Sequence, residues 1–240
     1  MYDEITEFRE FYHTPVGKHV RNILNHHVVD FFNKSKSLNS GFFGFAAPLL
    51  DLKQKTVGII APWRGLDVWP PSGPSRVCLA HPANLPFPDV HFHRFMVVHA
   101  LEFEDDPGFL LDEFWRILNG SGRLLIIVPN KRGIWSKSER TPFGHGKPYT
   151  GGQLRRLLKR HGFLTRKISR ALFIPPIGND RTLRFASAIE QVGSYLWPAM
   201  CGVFLVEAEK ILYAPSDLKR SFGKRVSPTR TIARPVFPKV

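Results

Sequence analysis

Cysteine is almost missing from this chain: Cys78 and Cys201 are the only two in 240 residues, and neither belongs to a CxxC pair. That excludes a disulfide-stapled scaffold and a thiolate zinc ribbon. Long apolar runs are missing as well, and nothing approaches the roughly 20 residues that a membrane-spanning helix needs. The opening MYDEITEFRE is acidic where a signal peptide would be basic and then apolar, so the expected location is the cytoplasm. HHxxD at His26, His27 and Asp30 and HxH at His91 and His93 lack the further convergent ligands of a metal centre, and no metal is expected.

Acidic residues are in short supply too, 20 Asp and Glu against 34 Lys and Arg, for a net charge of +14. Much of the excess is local. Lys219, Arg220, Lys224, Arg225, Arg230, Arg234 and Lys239 face only Asp217, in a stretch with four prolines and no apolar periodicity. Residues 214–240 therefore read as a basic tail outside the core, able to meet nucleic-acid phosphates by charge alone.

What remains is the composition of one globular α/β domain, with 43% hydrophobic residues. Residues 1–35 form a helical extension: Pro15 precedes Val16, Val20, Ile23, Leu24, His27, Val28 and Phe31, spaced along one helical face over 16–31. Short apolar runs follow at 41–45, 56–60, 76–80, 95–101 and 123–128. Their lack of alternation suits strands buried on both faces of a parallel sheet.

Pro107 opens a helix with Leu110, Leu111, Phe114, Trp115 and Leu118 on one face, which Asn119 to Gly122 should stop. Thr150 and Gln153 have capping-box spacing, and Leu154, Leu157 and Leu158 share a face before Gly162. A strand near 166–174, a helix from Arg181 to about Leu196 and a last strand over 202–212 complete residues 36–213. The expected fold is a doubly wound, mostly parallel seven-stranded Rossmann-like sheet.

The segment from Ala83 to Asn130 carries LPFPD at 85–89 and EFWRILNGSGRL at 113–124. It resembles the second half of a class I S-adenosylmethionine-dependent methyltransferase domain, from the adenine-side loop to the fifth strand. VPNKRGIWSKSERTPFGHGKPYTGGQL, 128–154, is similar to a bacterial, methyltransferase type 11-like subgroup. The resemblance implies S-adenosylmethionine as cofactor and an unidentified small or macromolecular methyl acceptor.

It also implies cofactor contacts at Gly41, Gly44, Ala46 and Pro48 in the first turn, Pro62 after the second strand, and His81, Ala83, Asn84 and Leu85 on the adenine side. His99 would stand at the end of the fourth strand. Relatives usually have glycine at the position of Phe42, an acid where TVGII runs into Ala61, Pro62 and Trp63, and often Asp at the position of His81.

Methyl transfer from a sulfonium needs alignment of the acceptor and exclusion of water more than a base. His99 and Glu102 are nominated to orient or deprotonate the acceptor, with Asn130 and the loop residues His145 and Tyr149 beside them. Trp63, Trp69 and Trp135 are candidate covers for the pocket, whereas Trp115 belongs to a core-facing helix face. The altered positions leave a second expectation, a methyltransferase fold that serves as a binding or scaffolding partner.

Overall fold

The computed structural model describes residues 5–33, 39–50, 56–61, 65, 68–178 and 183–212. The basic tail, Pro62 and Trp63 lie outside the described residues. Two helices come first, α1 (Ile5–His13) and α2 (Pro15–Asn33). Ile5, Phe8, Phe11 and Tyr12 line the buried side of α1, and the break after it is capped: the Thr14 hydroxyl accepts from the Gly17 amide at 3.0 Å. A Cβ on Gly17 would stand 1.9 Å from the Phe11 carbonyl oxygen, so only glycine lets the two helices meet this closely.

Seven strands follow: β1 (Ser40–Gly44), β2 (Thr56–Ile60), β3 (Val77–Leu79), β4 (Phe92–Val98), β5 (Leu118–Pro129), β6 (Phe163–Ala171) and β7 (Val203–Lys210). They form one sheet in the order β3-β2-β1-β4-β5-β7-β6. The first five are mutually parallel, and β7 runs antiparallel between β5 and β6. Strand order reverses between β1 and β4, and their carboxyl ends mark where such sheets hold ligands.

Alternate residues serve opposite faces. Phe42, Met96, Leu125, Ile127 and Leu205 join one core with α1 and α2, while Phe43, Val97, Ile126 and Val206 join another. The second core is closed by α3 (Pro107–Ile117) and α4 (Gly151–Arg160). Asp106 caps α3 through the Gly108 amide at 2.9 Å, and Thr150 and Gln153 form the expected capping box on α4. A fifth helix, α5 (Ala186–Leu196), lies between β6 and β7.

Two differences from the sequence expectation have local causes. The stop placed at Asn119–Gly122 is the start of β5, because Leu118 already turns to extended backbone and pairs with Phe92. β6 begins at Phe163, three residues before the expected strand, and as the sheet edge it exposes much of its length. Between β1 and β2 the described residues hold only a 3-10 turn at Ala47–Leu49, and α2 covers that sheet face instead.

Candidate functional site

The carboxyl ends of β1 and β4 are tied by a bond from the Phe45 amide to the Val98 carbonyl at 3.0 Å. Gly44 makes this possible. Its φ is +88, and a Cβ there would meet the Val98 carbonyl oxygen at 2.1 Å. Ala46 is fully buried beyond it, and Pro48 lies within the 3-10 turn. Gly41 stands three residues earlier, inside β1, where its missing side chain admits the rings of Phe92 and Phe95.

His99 follows β4 directly with φ +51, a left-handed conformation that a side chain adopts at a cost of about 1 kcal/mol or more. Its side chain is wholly buried, held by the rings of Phe143 at 4.7 Å and Phe8 at 5.0 Å. The Tyr12 hydroxyl lies 2.9 Å from His99 Nε2. Burial, followed by the charge of Glu102, pushes the Tyr12 hydroxyl far above the ordinary phenol range, so Tyr12 stays protonated.

Nδ1 faces Glu102 Oε1 across 3.6 Å, too long for a hydrogen bond, and neither atom has another hydrogen-bond partner. The other Glu102 oxygen accepts from the Ala100 amide at 3.2 Å. A clamp from the 146–149 segment steadies this corner. The Lys147 amide donates to the Glu102 carbonyl, and the Tyr149 hydroxyl to the Leu101 carbonyl at 3.3 Å. Burial, with Glu102 and Glu104 nearby, pushes the Tyr149 hydroxyl up to about 12.

An exposed loop follows β3 at the same end of the sheet. The His81 Nδ1 accepts from the Ala83 amide at 3.2 Å, and Ala83 and Asn84 face solvent. Leu85 is buried, and its amide donates to Glu113 at 2.9 Å. Arg116 then clips the loop to α3, bonding the Leu85 and Phe87 carbonyls and the Asp89 and Glu113 carboxylates. The two segments that carried the family resemblance are thus joined in one network.

Asn130, at the end of β5, is committed elsewhere. Its amide nitrogen donates to the Cys201 and Ala199 carbonyls at 2.8 and 3.0 Å, and its oxygen accepts from the Arg132 amide. The imidazole of His145 meets the Glu139 carbonyl at 2.8 Å. Trp69 and Trp135 are core residues, the first edge-on to Phe42 and the second bonded to the Ile174 carbonyl. Sequence reasoning missed Tyr12 and Phe8; the apolar spacing of Ile5, Phe8, Phe11 and Tyr12 was the available signal.

No family model matches the chain, and no curated protein matches it. Solved structures do. An S-adenosylmethionine-dependent methyltransferase from Thermotoga maritima aligns over 86% of this chain and 95% of its own, with TM-score 0.54 and 19% identity. One from Archaeoglobus fulgidus aligns over 79% and 94%, with TM-score 0.55 and 16% identity. A geranyl diphosphate methyltransferase in complex with S-adenosylmethionine aligns over 78% and 84%, at 0.54 and 13%. The chain has the class I methyltransferase fold.

In this methyltransferase fold Gly44, Ala46, His99 and Glu102 stand at the strand-order reversal, and His81, Ala83 and Asn84 follow β3 at the same end of the sheet. The small residues of the Gly44 turn and the two orphaned atoms of His99 and Glu102 are all buried at this end of the sheet. Phe8 and Tyr12 of α1 close the His99 end from solvent.

Proposed function

We propose that this chain is an S-adenosylmethionine-dependent methyltransferase acting on an unidentified acceptor. One observation carries the reading: the paired buried atoms His99 Nδ1 and Glu102 Oε1, unbonded at the carboxyl ends of β1 and β4 in a methyltransferase fold. Buried polar atoms without partners are costly, and they persist where a ligand or a reaction uses them.

Gly44 and Ala46 would take the methionine part of the cofactor, with Pro48 and Pro62 at its margin. His81, Ala83, Asn84 and Leu85 would take the adenine. When bound, S-adenosylmethionine supplies an electrophilic methyl group on a sulfonium leaving group. Glu102 stands 3.6 Å from Nδ1, and Nε2 would be the atom that accepts a proton from the acceptor. The Tyr12 hydroxyl now lies 2.9 Å from that atom, so it stands in for the acceptor's. Phe8 and Phe143 exclude water from the pair.

The closed state of the pair also favours a second reading, a protein of this fold that binds partners without catalysis. Calorimetric titration of S-adenosylhomocysteine into wild type and an Ala83→Trp variant separates the two. Ala83 is exposed, so the variant should fold and block only the adenine side. Micromolar binding lost in the variant supports the methyltransferase. A folded wild type that takes up no ligand would sink it in favour of the second reading.

A further inference from the structure

A cleft of about 420 Å³ opens on the same end of the sheet, one strand beyond the His99 corner, with Asn130 in its wall. Three arginines converge on it from three separate elements: Arg132 after β5, Arg155 on α4 and Arg170 near the end of β6. Among the described residues no acidic residue lines the cleft, and none of these guanidinium groups has an ion pair.

The rest of the wall suits the same charge. Gly151 and Gly152 open α4, and their amides are first-turn donors that no carbonyl of the helix can reach. A Cβ at Gly152 would meet only the Arg156 guanidinium at 3.7 Å, and one at Gly151 only the Phe204 ring at 3.8 Å, so these two positions are uncrowded. Asn130, with its side chain bonded to Ala199, Cys201 and Arg132, is a rigid fixed point rather than a competing ligand. The positive end of α4 and three guanidinium groups thus give the cleft charge of one sign, which suits an anion.

We propose that this cleft is an oxyanion site, taking a phosphate group carried by a small molecule. Arg155 and Arg170 supply planar, multi-donor contacts to phosphate oxygens, Arg132 adds charge at the rim, and the Gly151 and Gly152 amides supply two further donors. The cleft adjoins the His99 corner, because the Asn130–Tyr149 bridge joins the end of β5 to the residue whose hydroxyl holds Leu101. The phosphate therefore belongs to the methyl acceptor, an assignment that rests on the methyltransferase reading; the anion site itself does not.

The test is calorimetric titration of the full chain with inorganic phosphate, pyrophosphate and glycerol 1-phosphate, in a buffer held at constant ionic strength with sodium chloride. Saturable binding is expected, weakened about tenfold or more by Arg155→Gln or Arg170→Gln and unchanged by Lys159→Gln. All three positions are exposed, so the variants keep the fold. Tighter binding of glycerol 1-phosphate than of inorganic phosphate would assign the site to a substrate headgroup; equal binding would assign it to free phosphate.

Affinity that vanishes at constant ionic strength, or that survives both arginine changes, would overturn the site. So would binding only of single-stranded RNA, lost equally on Lys159→Gln, since that describes a diffuse basic face. S-adenosylhomocysteine is titrated in parallel. Phosphate binding without cofactor binding removes the methyltransferase reading and keeps the cleft; the converse removes the cleft alone.

Discussion

Gly44 illustrates how a single residue holds the site together. Its φ of +88 and the Val98 carbonyl facing it leave no room for a Cβ, so β1 can end against β4 only if residue 44 is glycine. Gly44→Ala should cost about 2–4 kcal/mol, read from urea unfolding, because strain and displacement of the Val98 carbonyl add. The sequence marked Gly44 through its resemblance to a glycine-rich turn. It gave no means of separating Gly44 from Gly41, whose small size accommodates the Phe92 and Phe95 rings in the middle of β1.

His27 carries a pH signature at the same scale. Burial chiefly, then Lys167 and His26, hold its imidazole below the ordinary value of 6.5, against smaller opposing effects of Asp30 and Glu207. A lowered folded value means that the folded state takes up this proton less readily than the unfolded chain. Stability from His27 is therefore complete above about pH 6.5 and is lost as pH falls through the lower folded value. His27→Gln should flatten that part of the profile in thermal melts between neutral and mildly acidic pH; an unchanged slope would refute the assignment.

Among the elements, α3 and the loop before β4 form the unit most legible in the sequence. The LPFPD and EFWR segments are about 25 residues apart in the chain, and Arg116 and Glu113 close them into one network of hydrogen bonds. Arg116→Met keeps the aliphatic packing and removes the donors. It should cost about 2 kcal/mol in urea unfolding. It should also raise the dissociation constant for S-adenosylhomocysteine, since Ala83 and Asn84 belong to the loop that Arg116 fastens.

The capping box of α4 and the buried strands β4 and β5 were equally readable, because local spacing decides them. The start of β5 was not. Asn119, Gly120, Ser121 and Gly122 look like a helix stop and turn, and only pairing beside Phe92 makes them strand. Nor did the sequence reveal that α2 would cover a face left bare by the short β1–β2 connection, since that depends on packing between distant segments. Tyr12 and His99 are likewise 87 positions apart, so their hydrogen bond had no local signal.

Over the whole molecule, the carboxyl end of the sheet gathers three features: the closed Tyr12–His99–Glu102 corner, the exposed 81–84 loop and the arginine cleft. The fold class was legible from strand order and motif resemblance. Its use was less so, because the altered positions at Phe42, Ala61 and His81 weaken the sequence signal, while the corner is assembled from α1, β4 and the loops after β4 and β5. On the proposed function, bound S-adenosylmethionine would lie between the Gly44 turn and the 81–84 loop, near α1.

Hydrogen–deuterium exchange with and without saturating S-adenosylhomocysteine tests that placement most directly. Slower exchange at 44–48 and 81–85, with altered exchange in α1, is the predicted result. Unchanged exchange in all three segments of the folded protein would contradict it.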